Sequence, residues 1–389
     1  MSDDYNAIAM PVGRLGIIGM AGTEEITAKV DSYLVKRRAQ REEETSEHPH
    51  FAGYCRDTYK IRAACPRFAT GEAKGELKES ARGLDLYILV DVFNYSVTYQ
   101  MYGRQMPMSP DDHFQDLKRV IAAAGEKTKR ISVIMPLLYE GRQHKRSTRE
   151  SLDCALCLQE LANMGVQNII TFDAHDPRVQ NAIPLKSFES IQPTYQFIKA
   201  LVNEMPDICL DSDHLMVISP DEGGIGRSMY YSSVLGVQLG MFYKRRDYAV
   251  IINGRNPIIA HEFLGNSVEG KDLMIIDDMI STGDSMLDVA RQLKDRGAKR
   301  IFVCASFGLF TDGLEKFDQA YEEGVFTKVF TTNLTYRSPE LKAREWYSSV
   351  DMSKFIAYII DNLNHDYSIS AILNPVSRIK KLLNGLDNR

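Results

Sequence analysis

The sequence lacks several features that identify broad classes of protein. No apolar run approaches the roughly 18 residues that a membrane-spanning helix requires. Neither sign of charge dominates: 47 Lys and Arg residues against 52 Asp and Glu residues give a net charge of −5, which argues against binding nucleic acid through bulk charge. The opening residues, MSDDYNAIAM, lack the apolar core of a secretory signal. We therefore expect a cytoplasmic protein that needs neither a membrane nor nucleic acid.

Cysteine is also scarce, with six in 389 residues, as expected for reduced thiols in a cytosol. Cys154 and Cys157 form a CxxC pair, but a structural zinc site needs two more ligands and the sequence has no second such pair. The pair lies in a segment whose apolar residues recur at helical spacing. We interpret these residues as two buried cysteines of a helix.

The chain has the composition of a globular protein, with 44% hydrophobic and 25% charged residues. After residue 84, apolar runs typical of strands buried on both faces alternate with amphipathic segments. The segments 112–125, 149–165 and 285–297 predict helices that each end at a glycine. This alternation predicts an α/β fold with mostly parallel sheets. The predicted strands are 84–90, 130–135, 168–172, 215–219, 237–243, 273–277, 300–305 and 328–332.

The predicted strands fall into two groups, which indicate two domains. We place the boundary near residue 187, so that residues 1–187 and 188–389 form the domains. The stretch 35–50 is highly charged and poor in apolar residues, and we interpret it as part of a solvated insertion or loop at about 37–55.

The most informative segment is DLMIIDDMISTGDSMLDVARQL, at 272–293. A buried strand ends in Asp277 and Asp278, and a small-residue turn then leads into a helix. Backbone N–H groups and hydroxyls at a helix N-terminus bind phosphate, whereas the aspartates can accept hydrogen bonds from sugar hydroxyls or hold a metal. The segment therefore predicts a sugar-phosphate site. Its turn consists of Ser281, Thr282, Gly283, Asp284 and Ser285.

Two further segments in the second half predict polyanion binding. Ser219 to Gly224, SPDEGG, follows a strand and precedes a helix, and its glycines allow close backbone approach while Asp221 can bind a metal or a hydroxyl. The cations Lys244, Arg245 and Arg246 end another strand and precede a long connection. We interpret this connection as a mobile lid that brings positive charge to a transferring phosphoryl group.

The first half also places polar residues after its strands. EGRQHKRS follows the strand at 130–135 and contains Arg142 and Gln143, and FDAHD follows the strand at 168–172 and contains His175. A histidine two residues from an aspartate at a strand end can ligate a metal, although a lone histidine is more often structural.

Together these segments resemble the ribose-phosphate pyrophosphokinase family, the synthetases of 5-phosphoribosyl diphosphate (PRPP). IIDDMISTGDS resembles the family's ribose 5-phosphate loop, SPDEGG its pyrophosphate loop, and YKRR the start of its flexible catalytic loop. EGRQHKRS resembles its ATP-binding segment, FDAHD its metal segment, and CPRFATGEAKGELKESARG the stretch that contacts ATP. The motifs occur in family order from about residue 14 to about residue 375.

The resemblance implies two phosphoribosyltransferase-like (Rossmann-type) α/β domains and an enzyme that transfers the diphosphoryl group of ATP to ribose 5-phosphate with Mg²⁺ as cofactor. It also implies a homo-oligomer, since the family forms dimers that assemble into hexamers. The implied roles are catalysis for Lys244 and Arg246; ribose 5-phosphate binding for Asp277, Asp278, Ser281, Thr282, Gly283, Asp284 and Ser285; ATP binding for Thr70, Gly71, Glu72, Arg142 and Gln143; and Mg²⁺ binding for His175 and Asp221.

Two alternatives remain open. A type I phosphoribosyltransferase that consumes PRPP would share the sugar-phosphate loop, but the ATP-side motifs of the first half argue against it. A PRPP synthetase-like subunit with weak or lost activity could instead regulate a partner. Ser281 and Asp284 favour this second alternative because the family usually has Asp and Gly there, and His144 favours it because it replaces an Asp. The intact KRR segment, Asp277 with Asp278, and His175 argue against it.

Overall fold

The computed structural model describes residues 10–44, 52–246 and 258–386, which form two compact units. The first unit contains the described residues up to Gln192 together with Asn333–Tyr336 and Asp351–Asn374. The remaining described residues, from Pro193, form the second unit. The predicted division at 187/188 does not include this late return of the chain to the first unit. No helix in the described ranges is long and apolar enough to cross a bilayer.

The first unit is built on a parallel sheet. The strands up to Gln192 are β1 (Arg14–Gly19), β2 (Ala63–Ala64), β3 (Glu76–Leu77), β4 (Leu84–Leu89), β5 (Thr98–Met101), β6 (Arg104–Pro107), β7 (Arg130–Ile134), β8 (Asn168–Phe172) and β9 (Ser187–Ile191). The helices there are α1 (Glu24–Glu44), α2 (Pro110–Ala124) and α3 (Asp153–Asn163). The parallel sheet has the order β1-β4-β7-β8-β9, while β2 pairs with β3 and β5 with β6 as antiparallel hairpins.

The second unit contains a larger sheet. Its strands are β10 (Leu215–Ser219), β11 (Gln238–Arg246), β12 (Ile258–Leu264), β13 (Asp272–Ile280), β14 (Arg300–Gly308), β15 (Lys328–Thr332) and β16 (Tyr347–Val350). Its helices are α4 (Thr194–Glu204), α5 (Ile225–Leu235), α6 (Asp284–Asp295), α7 (Glu315–Glu322), α8 (Pro339–Lys342) and α11 (Val376–Leu386). Two further helices, α9 (Ser353–Asn364) and α10 (Ser370–Leu373), lie in the segment that returns to the first unit. The sheet order is β12-β11-β10-β13-β14-β15-β16, with β12 alone antiparallel to its neighbour.

The predicted α/β class with mostly parallel sheets is confirmed. Every apolar run predicted as a strand is one, with ends that differ by at most three residues, because central strands such as β4 and β10 are buried along their whole length. The three predicted helices are also present, and Cys154 and Cys157 are buried free thiols of α3, as interpreted. The sequence analysis missed β1, β9, β12, β16 and the two hairpins, which are shorter, edge-lying or partly polar.

A partly buried ion pair between an arginine and an aspartate joins two neighbouring strands at the amino edge of each sheet. In the first unit, Nε and Nη2 of Arg130 lie 2.8 Å from Oδ1 and 2.8 Å from Oδ2 of Asp85. In the second, Nε and Nη2 of Arg300 lie 2.9 Å from Oδ1 and 2.6 Å from Oδ2 of Asp272. Each arginine is directly opposite its aspartate in the strand register. This two-point geometry stabilises the strand alignment in both units.

The charged stretch 35–50 is not a solvated loop where the structure describes it. Residues 35–44 continue helix α1, whose buried face runs through Val30 and Leu34 to Arg38, all with 0% of their surface exposed. Cζ of Arg38 lies 4.5 Å from the ring centroid of Tyr54, and its Nε lies 3.6 Å from Oδ1 of Asp361 on α9. The prediction of a solvated loop is wrong here because arginines complete the buried face. Residues 45–51 lie outside the described residues.

We predict that Asp361→Asn lowers the free energy of unfolding by about 3–5 kcal/mol, because a buried guanidinium loses its charge partner. Nε of Arg41 also lies 2.8 Å from Oδ2 of Asp361, whose side chain is only 2% exposed. Urea unfolding followed by circular dichroism measures the change.

The matched control is Lys29→Met. It removes two exposed ion pairs from the same helix, in which Nζ of Lys29 lies 3.0 Å from Oε1 of Glu25 and 3.6 Å from Oδ2 of Asp351. This variant should lose less than about 1 kcal/mol. Equal losses in the two variants would contradict the role of the buried pair.

Candidate functional site

The three loops predicted to bind phosphate groups in the second half follow neighbouring strands. They start at the carboxyl ends of β10, β11 and β13, which lie in the order β11-β10-β13. The chain leaves β10 toward β11 on one side and later returns to β13 on the other, so the strand order reverses between β10 and β13. In open α/β sheets, ligands bind outside the carboxyl ends of strands at such a reversal.

Asp277 and Asp278 lie near the end of β13, on opposite faces of the strand. Oδ1 of Asp277 accepts a hydrogen bond of 2.8 Å from the backbone N–H of Asp278 and lies 3.8 Å from Nη1 of Arg227. Burial and the negative charge of Asp278 raise the pKa of Asp277 well above its ordinary value, and Arg227 opposes this shift. Because its ionisation is disfavoured in isolation, Asp277 suits a ligand that brings hydrogen-bond donors, such as sugar hydroxyls.

The turn after β13 requires glycine at one position. Gly283 has a φ of 88°, and an added Cβ would lie 2.3 Å from Cε2 of Phe317. Phe317 is fully buried and cannot yield. The carbonyl of Ser281 accepts a hydrogen bond of 3.0 Å from the N–H of Thr311. The turn is therefore held in one conformation before α6, whose first N–H groups have no partners within the helix and can bind an anion.

The structure places all five predicted turn residues on this one segment. Ser281 and Thr282 are half-buried, while Ser285 is exposed. Asp284 is the first residue of α6, and its Oδ1 lies 2.7 Å from Nζ of Lys316. The ammonium group of Lys316 lowers the pKa of Asp284. The carboxylate in the turn is therefore ionised and paired.

The other two predicted loops of the second unit follow β10 and β11. Oδ1 of Asp221 accepts a hydrogen bond of 3.2 Å from the N–H of Gly224, which precedes α5. Lys244 and Arg246 lie in the last residues of β11, with Lys244 opposite His261 of β12. The connection predicted as a lid therefore contains an antiparallel edge strand, β12, and residues 247–257 of it lie outside the described ranges.

Thr70, Gly71 and Glu72 form a tight turn between β2 and β3. The N–H of Gly71 donates to the carbonyl of Phe68 at 2.9 Å, and the N–H of Phe68 donates to the carbonyl of Glu72 at 2.7 Å. Gly71 has a φ of 95°, and an added Cβ would lie 2.8 Å from Sδ of Met101. The hydroxyl of Thr70 donates to Oε2 of Glu72 at 2.9 Å. Both side chains are exposed, so the turn presents a carboxylate to solvent.

Arg142, Gln143 and His175 follow the neighbouring strands β7 and β8. Arg142 is exposed, whereas Nε2 of Gln143 donates to a carbonyl of its own loop at 2.9 Å and closes that loop. The ring centroids of His144 and His175 are 5.4 Å apart, and Nε2 of His144 lies 3.5 Å from Oδ2 of Asp176. The structure therefore brings these two predicted loops together at the carboxyl edge of the first sheet.

The predicted metal residues lie in different units, His175 in the first and Asp221 in the second. Within the described ranges, neither belongs to a group of three or more close ligand-type side chains. Such a group is formed by the exposed Cys209, Asp211 and His214, before the amino end of β10. Mg²⁺ prefers oxygen ligands and keeps water or substrate phosphate in most positions. Asp221 fits that chemistry, whereas the imidazole of His175 suits softer cations better.

The sequence analysis did not identify two cations near the predicted residues, Arg227 and Lys316. Both lie in the first turn of a helix, α5 and α7 respectively, where positive charge is disfavoured by the helix dipole. A cation at such an unfavourable position indicates, from the sequence alone, that it pairs with a negatively charged group. It does not reveal the partner, however, because Lys316 pairs with a residue on another helix.

The chain is similar to known proteins along most of its length. Residues 15–165 match the N-terminal domain of ribose phosphate pyrophosphokinase, and residues 187–341 match the phosphoribosyl transferase domain. The ribose-phosphate pyrophosphokinase of Vibrio parahaemolyticus is 28% identical over 317 residues, which cover 80% of this chain and 91% of the relative. That of Mycoplasma genitalium is 26% identical over 315 residues, 80% of this chain and 86% of the relative. The phosphoribosylpyrophosphate synthetase of Mycobacterium smegmatis has the same fold, with a TM-score of 0.71 over 91% of this chain and 99% of that chain at 20% identity.

We predict that Asp277→Asn stabilises the folded protein more at pH 8 than at pH 4. The raised pKa means that the folded state resists ionisation of Asp277, whereas the unfolded chain ionises it freely above its ordinary pKa of about 4. At pH 4 this penalty is small, and it grows as the pH rises. The melting temperature, measured at both pH values in EDTA, checks this expectation. The control is Asp288→Asn, at an exposed position on α6. A rise in the melting temperature of Asp277→Asn that does not depend on pH would contradict the expectation.

Proposed function

The chain belongs to the ribose-phosphate pyrophosphokinase family of enzymes, and we propose that it transfers the β,γ-diphosphoryl group of Mg-ATP to the C1 hydroxyl of ribose 5-phosphate. The products are PRPP and AMP. One observation carries the proposal: two glycine-containing turns, each leading into a helix, follow the adjacent strands β10 and β13 at the reversal of the second sheet. Two anion-binding turns side by side suit a substrate and a product that both carry phosphate groups.

The segment after β13 suits ribose 5-phosphate in particular. The helix N-terminus after Gly283 offers N–H groups for the 5-phosphate, and Asp277 and Asp278 offer carboxyl oxygens for the ribose hydroxyls. These groups lie at the two ends of one short turn, as the two ends of a sugar phosphate require. The packing of Gly283 against Phe317 keeps that turn in place without the ligand, so binding need not order it.

In the first unit, the turn at Thr70 to Glu72 and the loop with Arg142 and Gln143 are proposed to bind ATP. The ring of Phe68, in the same turn, is 54% exposed and offers a face for a purine, while Glu72 offers an acceptor for its amino group. The exposed guanidinium of Arg142 offers positive charge for phosphate oxygens.

The chemistry proposed is an in-line displacement at phosphorus. The C1 oxygen bonds to the β-phosphorus while the bond from that phosphorus to the oxygen bridging to the α-phosphorus breaks, so AMP leaves and the hydroxyl proton is released. Lys244 and Arg246 are proposed to stabilise the negative charge on the leaving oxygen. Mg²⁺, when bound, would neutralise charge on the phosphate oxygens, and Asp221 is the residue best suited to hold it. His175, the other residue predicted to bind Mg²⁺, belongs to the first unit, and its imidazole suits softer cations better.

The two alternative functions are less well supported. A type I phosphoribosyltransferase has no need of the first unit, which matches the N-terminal domain of ribose phosphate pyrophosphokinase. The regulatory-subunit hypothesis depends partly on Asp284 disturbing the phosphate turn, and that carboxylate is paired with Lys316.

We also propose a cytosolic homo-oligomer built from dimers, which light scattering after size-exclusion chromatography would test.

Two reaction mixtures separate the three functions. We expect purified protein, Mg-ATP and ribose 5-phosphate to give equal amounts of AMP and PRPP. Both products can be measured by ³¹P nuclear magnetic resonance. Consumption of PRPP in the presence of a nucleobase, without ATP, would support the phosphoribosyltransferase instead. Failure to react in either mixture, together with binding to a partner enzyme, would support the regulatory subunit.

We predict that Lys244→Ala lowers turnover on the order of 10³-fold while ribose 5-phosphate binding is mostly retained, because the lost charge acts on the leaving oxygen. Steady-state kinetics and calorimetric binding of ribose 5-phosphate measure the two effects. The control is Lys199→Ala, at an exposed position on α4, which should keep turnover near that of the wild type. Near wild-type turnover in Lys244→Ala would remove Lys244 from the mechanism.

A further inference from the structure

Asp284 places a carboxylate at the first position of α6, next to the turn proposed to receive the 5-phosphate. A carboxylate there competes with phosphate in two ways. Its charge repels a dianion, and it can itself take the favourable position at the positive end of the helix. A phosphate turn that keeps such a residue therefore needs a counter-charge.

Lys316 supplies that counter-charge from a neighbouring helix. Its Nζ lies 2.7 Å from Oδ1 of Asp284 and 3.2 Å from Oδ2 of Asp312. Lys316 is the second residue of α7, where the helix dipole disfavours a cation, so the two carboxylates offset an otherwise unfavourable position. The side chain of Lys316 is 28% exposed, compared with 67% for Asp284. The lysine is thus the better-fixed partner and holds the carboxylate against α7.

We propose that Lys316 is a positioning residue for sugar-phosphate binding, which neutralises Asp284 and keeps its carboxylate away from the phosphate turn. This inference rests on the proposed function, because it concerns how the same turn accepts ribose 5-phosphate. The Asp284–Lys316 pair then acts as one neutral unit, and the turn binds the dianion although it contains a carboxylate. Neither residue needs to touch the phosphate.

The geometry of α7 makes this pairing specific to the turn. The buried ring of Phe317, the next residue, packs where a Cβ of Gly283 would lie. Consecutive residues of α7 therefore fix the backbone of the turn and the charge of its first helical residue. A simple surface ion pair between α6 and the end of α7 also exists, between Nη2 of Arg291 and Oε2 of Glu323 at 3.5 Å, and serves as a comparison.

A rescue experiment tests the proposal. Calorimetric titration with ribose 5-phosphate should show binding weakened on the order of tenfold in Lys316→Met, because the released carboxylate repels the dianion. Lys316→Met combined with Asp284→Asn should bind within about threefold of the wild type, since the repelling charge is gone. The matched control Arg291→Met, which removes the comparison pair, should bind like the wild type.

The salt dependence of binding separates this role from a structural one. The deficit of Lys316→Met should shrink as the ionic strength rises from about 0.01 to 0.3 M, because the repulsion acts between partly exposed charges. A purely structural defect would persist at every salt concentration. Thermal unfolding of each variant confirms that the protein titrated is folded.

Besides a deficit that persists at every salt concentration, three results would overturn the proposal. Binding by Lys316→Met within twofold of the wild type would show that Asp284 needs no counter-charge. A double variant as weak as Lys316→Met would show that Lys316 acts independently of Asp284. A wild-type protein that binds no ribose 5-phosphate would remove the proposed function and this inference with it, whereas the first two results leave the proposed function intact.

Discussion

The balance of charge at the carboxyl edge of the second sheet is the constraint on which the proposed site depends. Asp277, Asp278 and Asp284 lie on one strand–turn–helix segment that is proposed to bind a phosphate dianion. The positive end of α6, Arg227 beside Asp277 and Lys316 beside Asp284 offset these charges. In the proposed site, these pairings allow the acidic groups to accept sugar hydroxyls without excluding the phosphate.

Charged residues at the two edges of the sheets have different roles. At the amino edges, Asp85 with Arg130 and Asp272 with Arg300 form two-point ion pairs across adjacent parallel strands. Both oxygens of each carboxylate are bound by an arginine. These carboxylates therefore stabilise the fold and are unsuited to bind ligands. At the carboxyl edge of the second sheet, Asp277 has a raised pKa, and the nearest guanidinium nitrogen of Arg227 lies 3.8 Å from its Oδ1. Because its ionisation is disfavoured in isolation, the Asp277 carboxyl is stabilised more than those carboxylates by a ligand that donates hydrogen bonds to it.

The sequence predicted the central strands and the turn around Gly283 better than it predicted the edge strands and the long-range pairs. Strands buried on both faces, such as β4 and β10, are continuous apolar runs, and the turn around Gly283 is contiguous in sequence, so both were found. Helix α1 was misjudged because its buried face ends in Arg38, and charge normally signals solvent. The pairing of Asp284 with Lys316 joins residues of different helices, and no local pattern encodes it. The late return of α9 to the first unit depends on the same kind of contact, between Asp361 and the arginines of α1.

The most direct test of the central claim is hydrogen exchange of backbone amides with and without ribose 5-phosphate. If the N-terminus of α6 binds the 5-phosphate, amides 281–286 should exchange more slowly with the ligand, because their N–H groups donate to phosphate oxygens. The loop at 205–214, before the amino end of β10, should be unchanged. Unaltered exchange at 281–286 with a saturating ligand, or protection confined to the loop at 205–214, would contradict the account.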